Sequence, residues 1–154
     1  SPLEMASAYA TFANNGWQST PTAVLQVTDS AGRLMLDNTP HPTLVLNPWA
    51  TAALNDAMQA VVNGGTGKAA YFGRPAVGKT GTTSSERDIW FVGSVPQLTA
   101  AVWAGNDNYA PLGRGVTGGG IMAPIWRDFM SRAMEKQSVL EFTPMSKFQR
   151  PSAQ

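Results

Sequence analysis

Apolar residues recur at helical spacing over the first dozen positions: Leu3, Ala6, Ala10 and Ala13, with Tyr9 and Phe12 widening the stripe. Ser1, Pro2 and Glu4 form a start signal, since serine can cap, proline suits the first helical position, and glutamate three residues on closes a capping box. Asn14-Asn15-Gly16 tolerates a left-handed cap, so the pattern predicts a helix over about residues 2–13. A second helix is predicted to start at Asn47-Pro48, with Ala50, Ala53, Leu54, Ala57, Met58 and Val61 as its stripe, and to stop at Asn63-Gly64-Gly65. A third runs from Ile121 to about Lys136, with Ile125, Phe129, Met130, Ala133 and Met134 as its apolar face.

Strand patterns fill the gaps. Val24–Thr28 and Arg33–Leu36 flank the turn residues Asp29-Ser30-Ala31-Gly32 and read as a hairpin. The prolines of Thr39-Pro40-His41-Pro42 make a loop. After the glycine-rich stretch 64–73, Val77–Thr83, Ile89–Val95 and Leu98–Ala104 read as three strands. Only Pro96-Gln97 separates the last two, so they can join only as an antiparallel hairpin. Their nearly continuous apolar character predicts burial on both faces. Trp90, Phe91, Trp103 and Trp126 are predicted core residues. Asn106–Gly120 is a glycine-rich loop. Helices against an antiparallel sheet give an α+β fold. Residues 1–137 form the predicted domain and 138–154 a loose, polar tail with Pro144 and Pro151.

Composition narrows the function. Charged residues are 14% of the 154 and hydrophobic residues 43%, the reverse of a disordered chain. The net charge is +1, and the basic residues are scattered, which argues against a nucleic-acid partner held by its phosphates. Without cysteine there is no disulfide scaffold, thiolate metal site or cysteine nucleophile. The one histidine, His41, lies between prolines and has no metal-ligating partners in the sequence. No stretch reaches the roughly 20 apolar residues of a membrane span. The chain begins without Met or a leader, as if cut from a longer polypeptide.

Two motifs invite a nucleotide reading. Gly73-Arg74-Pro75-Ala76-Val77-Gly78-Lys79-Thr80 fits the P-loop pattern, and Gly113, Gly115 and Gly118 fit the dinucleotide fingerprint. A P-loop needs a strand before it and a helix N-terminus after it. Here a glycine-rich stretch precedes the motif, and Gly81-Thr82-Thr83-Ser84-Ser85 follows as a poor helix opener. The second motif adjoins an antiparallel hairpin instead of a βαβ unit. Read as a strand, Lys79-Thr80-Gly81-Thr82 places two hydroxyls on one face, with Gly81 leaving room for a substrate backbone. An ammonium nearby makes this a plausible seat for a peptide ending in a carboxylate. An ordinary edge strand with polar residues facing solvent has the same pattern. Asp88 could hold the loop after Thr83 by hydrogen bonds, and Ser84 and Ser85 read as loop residues near the mouth of the site.

Several blocks together carry a resemblance. Gly78-Lys79-Thr80-Gly81-Thr82-Thr83, then Asp88-Ile89-Trp90-Phe91-Val92-Gly93, then Ala101-Val102-Trp103-Ala104-Gly105-Asn106-Asp107 are similar to the transpeptidase domain of class A penicillin-binding proteins. Ser1–Ala6 with Ala8–Asn14, Gly65-Thr66-Gly67, and Thr117-Gly118-Gly119 fit the same family, so the likeness covers about residues 1–136 in order. It implies the serine β-lactamase/D,D-peptidase fold, with two N-terminal strands missing. It also implies a serine D,D-transpeptidase that cross-links peptidoglycan stem peptides and is acylated by β-lactams. Lys79 would be the lysine of the Lys-Thr-Gly motif. Lys79, Thr80, Thr82 and Thr83 would bind substrate, with Thr80 and Thr82 on the substrate or β-lactam carboxylate, Gly81 would complete the wall, and the Thr82 backbone N–H would donate in the oxyanion hole. No cofactor and no metal are implied. The setting would be the periplasmic face of the bacterial inner membrane, reached through an N-terminal anchor outside this chain.

The departures are as informative. No Ser-x-x-Lys and no Ser-x-Asn occur, so the nucleophile, its lysine and the middle motif would lie upstream, in the remainder of the domain. The chain alone is expected to be inactive and to leave a strand edge and apolar surface uncovered. A non-catalytic module that binds peptide strands at the same edge, or a P-loop fragment, are the alternatives.

Overall fold

The computed structural model describes residues 1–152. Helix α1 spans Pro2–Ala13 and opens with the predicted capping box: the Ser1 hydroxyl accepts the Glu4 N–H, and the Ser1 backbone amine donates to the Glu4 carboxylate at 2.6 Å. Its end is followed by Trp17–Gln18 (β1), which pairs antiparallel with Thr43–Leu44 (β4). Between those short strands lies the predicted hairpin, Gln26–Thr28 (β2) on Leu34–Asp37 (β3). The β1–β4 pair is too short to carry a sequence pattern of its own.

Helix α2, Pro48–Asn63, starts where Asn47 Oδ1 accepts the N–H groups of Trp49 and Ala50. Its buried face is not the predicted stripe. Thr51, Ala52, Asn55, Met58 and Val62 are buried, while Ala50, Leu54 and Ala57 stay exposed. Two polar residues occupy that face, each donating to a backbone carbonyl, while the Asn55 Oδ1 meets no partner among the described residues. Thr51 donates to the Asn47 carbonyl and Asn55 to the Phe12 carbonyl, both at 2.9 Å.

Val77–Thr82 (β5), Asp88–Val95 (β6) and Leu98–Gly105 (β7) form one antiparallel sheet in that order, joined at Pro96-Gln97 as predicted. Six of the eight β6 residues are buried, but none of the eight in β7 is. Its outer edge has no strand beside it among the described residues, so the expectation of burial on both faces holds for β6 alone. Trp103, predicted as core, is 41% exposed for the same reason.

A π-helical turn at Gly118–Met122 leads into α3, Ala123–Ala133, which packs against the sheet. Here too the face is rotated from the prediction. Met122, Ala123, Trp126, Met130 and Met134 are buried, whereas Ile125 and Phe129 are about half exposed, at 49% and 51%. Trp126 sets the phase. Its ring meets Phe91 at 5.3 Å, and its indole N–H points between the carbonyls of Gly93 and Ala100, each 3.2 Å away. Gly93 allows that approach, since a Cβ there would lie 2.8 Å from the Val77 oxygen and 3.0 Å from the Trp126 ring. On the opposite face Val77 packs with Met58 and Phe142, flanked by Tyr9 and Phe12.

The presence of Phe142 in that cluster corrects the expectation of a loose tail. Residues beyond Gln137 are mostly irregular but anchored. Arg74 donates to the carbonyls of Met134, Gln137 and Ser138, Gln97 also reaches Ser138, and Asn15 bonds Thr143. The sequence pattern shows no periodicity there because extended chain held by carbonyl contacts needs none. No described helix is long and apolar enough to cross a membrane.

Phe142→Ala is expected to lower stability by about 3 kcal/mol, the usual cost of emptying a buried aromatic site. Urea unfolding followed by tryptophan fluorescence measures it; a change within about 0.5 kcal/mol would restore the loose tail.

Candidate functional site

Lys79, Thr80, Gly81 and Thr82 lie in β5, extended and paired to Val92, Phe91, Trp90 and Ile89. No helix begins at Gly78, which removes the phosphate-wrapping geometry a P-loop requires. Gly113 and Gly115 lie in an irregular loop with left-handed backbone, φ +131° and +76°, and no βαβ unit surrounds them. Both nucleotide motifs are thus chance matches of sequence.

Antiparallel pairing alternates residues that bond across the ladder with residues that face outward. The Thr83 N–H donates to the Asp88 carbonyl at 3.0 Å, so by alternation Gly81 and Lys79 bond toward β6. The peptide groups of Thr80 and Thr82 then point away from the sheet, along the free edge of β5. The Lys79 ammonium donates to the Thr80 carbonyl at 2.7 Å, as that outward direction requires.

Two hydroxyls share one face of the strand, and each meets a neighbouring segment. The Thr80 oxygen lies 2.8 Å from the hydroxyl of Thr66, in the turn after α2. The Thr82 hydroxyl accepts the Gly118 N–H at 3.2 Å. Glycines make the fit possible. A Cβ on Gly118 would stand 2.1 Å from the Trp90 oxygen and 2.6 Å from that of Gly81, and one on Gly119 would stand 2.1 Å from the Thr66 oxygen. Three segments distant in sequence therefore build one rim, with Thr66 and Thr82 exposed and Thr80 partly buried. The sequence marked the 65–67 and 117–119 glycine motifs only as blocks of resemblance; their function as close-packing surfaces is visible only in three dimensions.

Thr83 does not join the rim. Its hydroxyl accepts the Asp88 N–H at 2.8 Å, on the other side of the strand. Asp88, the first residue of β6, does hold the turn, as the sequence suggested, and its carboxylate also receives the Trp103 indole N–H at 3.0 Å. Beyond it Arg87 stacks over Tyr109, 4.9 Å from the ring centroid, and Leu112 N–H bonds the Glu86 carbonyl. These contacts clasp the β5–β6 turn to the loop after β7. Behind the strand, a shallow cavity of about 310 Å³ is lined by Met5, Tyr9, Lys79, Trp90 and Val92. Burial raises the Tyr9 phenol pKa above its usual value, so the phenol stays neutral there. Among the described residues no group of His, Asp and Glu could hold a metal ion.

Residues 1–131 match the model of the penicillin-binding protein transpeptidase domain. The chain belongs to that family. Among its relatives, penicillin-binding protein 1A of Clostridium acetobutylicum is 39% identical over 131 residues, which are 84% of this chain and 16% of that protein. The penicillin-binding protein PonA1 of Mycobacterium tuberculosis superposes with a TM-score of 0.81 at 29% identity, over 93% of this chain and 41% of that one. Penicillin-binding protein A of the same organism, solved as an imipenem acyl-enzyme complex, matches with a TM-score of 0.68 at 26% identity, over 86% of this chain and 31% of that one. The chain thus spans less than a fifth of the curated relatives it matches. Its fold is that of the β-lactamase and penicillin-binding transpeptidases, and the α+β class read from the sequence holds.

In this chain the glycine wedge is expected to be intolerant. Gly118→Ala should destabilise by about 1–3 kcal/mol through overpacking, whereas Gly64→Ala, where a Cβ meets nothing within 4 Å, should stay within about 0.5 kcal/mol. Paired urea unfolding curves check both; equal curves would mean that Gly118 does not set the spacing of the rim.

Proposed function

We propose that this chain is the Lys-Thr-Gly wall of a peptidoglycan D,D-transpeptidase, whose serine nucleophile lies in polypeptide upstream of Ser1. The observation that carries the reading is the outward edge of β5. Thr80 and Thr82 present two hydroxyls beside a free backbone edge, with the Lys79 ammonium adjacent. The Thr82 oxygen already accepts a hydrogen bond, which leaves its proton for a ligand acceptor. A carboxylate is the acceptor that gains most from this arrangement, because charge-assisted hydrogen bonds contribute about 1.5–3 kcal/mol each.

The reaction follows from the same edge. A stem peptide ending in D-Ala-D-Ala lies extended beside β5, its terminal carboxylate on Thr80 and Thr82. The upstream serine attacks the penultimate carbonyl, and the negative charge that develops on its oxygen is met by the Thr82 N–H. A donor of that kind contributes about 2.7–4 kcal/mol to the transition state. The leaving D-alanine departs, and the amine of a second stem peptide then takes the acyl group. Lys79 adds positive potential along the groove, and Thr83 acts through Asp88 by fixing the turn. A β-lactam carries a carboxylate at the corresponding distance from its reactive carbonyl and acylates the same serine. The imipenem adduct of the tuberculosis relative supports that part of the reading.

The remainder of the domain is the partner that the surface calls for. Among the described residues the outer edge of β7 is unpaired, and Leu3, Met5 and Trp103 are exposed at 65%, 36% and 41%. We place the parent enzyme at the periplasmic face of the bacterial inner membrane, where peptidoglycan is built, and its chemistry needs no cofactor. The free β5 edge also suits a module that binds peptide strands without reacting, and the test separates the two.

Fluorescent penicillin added to the complete domain, this chain joined to the segment before it, is expected to label a serine in the upstream part. Digestion and mass spectrometry should find no adduct within residues 1–154. Thr80→Val should slow labelling roughly tenfold or more, by loss of a charge-assisted hydrogen bond. An adduct on residues 1–154, or no adduct anywhere, would contradict the assignment.

A further inference from the structure

Thr66 carries the one rim hydroxyl that belongs to no strand. Its hydroxyl sits 2.8 Å from that of Thr80, and either can be the donor. Each hydroxyl has one proton and two lone pairs. Within such a pair one proton is used between the partners and the other is free to point elsewhere. The orientation matters to any anion beside Thr80. If Thr80 donates to Thr66, it offers the anion only lone pairs. If Thr66 donates to Thr80, the Thr80 proton is directed outward, and the incoming bond polarises it into a stronger donor.

The turn that carries Thr66 is fixed independently of β5. The Gly65 N–H bonds the Ala60 carbonyl and the Gly67 N–H bonds the Val61 carbonyl, both at 3.0 Å, which tie the turn to the end of α2. Gly67 leaves no room for a side chain, since a Cβ there would lie 2.9 Å from the Phe91 ring. Gly119 closes on the Thr66 carbonyl from the other side. Thr66 is exposed, and among the described residues its hydroxyl has no partner other than Thr80. Such a side chain contributes little to the core, yet its position is determined on two sides.

We propose that Thr66 is a positioning residue: it holds the Thr80 hydroxyl as a donor toward the ligand carboxylate. The proposal rests on the reading of Thr80 and Thr82 as a carboxylate seat, and extends the rim to a residue outside the Lys-Thr-Gly motif. It also assigns a function to the Gly65-Thr66-Gly67 turn, whose glycines set the height at which the hydroxyl meets the strand.

The test compares acylation rates of the complete domain by a penicillin and by its methyl ester, which lacks the negative charge. Thr66→Val keeps the branched volume and removes the hydroxyl; Thr66→Ser keeps the hydroxyl. We expect Thr66→Val to slow the penicillin reaction about three- to tenfold and to leave the ester reaction unchanged, with Thr66→Ser close to the parent. Thr66→Ala provides a second hydroxyl-free variant if the valine folds poorly, with the same split expected. Equal slowing of both ligands would make Thr66 merely structural and overturn the proposal, as would no slowing of either or failure of Thr66→Ser to retain the rate. If the parent itself treats acid and ester alike, the carboxylate seat fails first, and the proposal with it.

Discussion

Everything at the rim depends on β5 being an extended edge strand in fixed register with β6. Extension puts Thr80 and Thr82 on one face and Lys79 and Gly81 on the other. Edge position leaves the outward peptide groups of Thr80 and Thr82 without a neighbouring strand. Had the same letters folded as a turn into a helix, the lysine and threonine would wrap a phosphate instead. The register is secured from both ends: Val77 is buried with Met58 and Phe142, and the Thr83–Asp88 pair closes the turn.

The sheet is supported unequally, and this explains much of the molecule. On one side Trp126 and Phe91 make a dense centre that fixes the phase of α3. On the other, α1, α2 and the segment through Phe142 cover only part of the surface, and Trp103 remains exposed beside the open edge of β7. An exposed edge and exposed apolar residues are costly for an isolated domain. They are ordinary for a wall that has an opposite wall, which fits a chain that spans a small share of its relatives.

Strong local signals were legible in the sequence. The capping box of α1, the Asn47-Pro48 start of α2, the three strands and their hairpin all follow from residues acting on their nearest neighbours. Which face of a helix is buried does not follow so directly. Thr51 and Asn55 lie inward because carbonyls of Asn47 and Phe12 receive them, and Ile125 and Phe129 lie outward because Trp126 fills the space against Gly93. Those are tertiary facts, invisible to a count of apolar letters. The site divides the same way. Lys79, Thr80 and Thr82 were marked by their spacing, but Thr83 turned out to face Asp88 instead of the rim. The contacts of Thr66 and Gly118 with the strand required chains 14 and 36 residues apart to meet.

The most direct measurement is a crystal structure of the complete domain acylated by a penicillin. The penicillin carboxylate is expected within about 3 Å of the Thr80 and Thr82 hydroxyls, with the acyl oxygen facing the Thr82 N–H. A carboxylate bound elsewhere, with both hydroxyls facing only solvent, would contradict this placement.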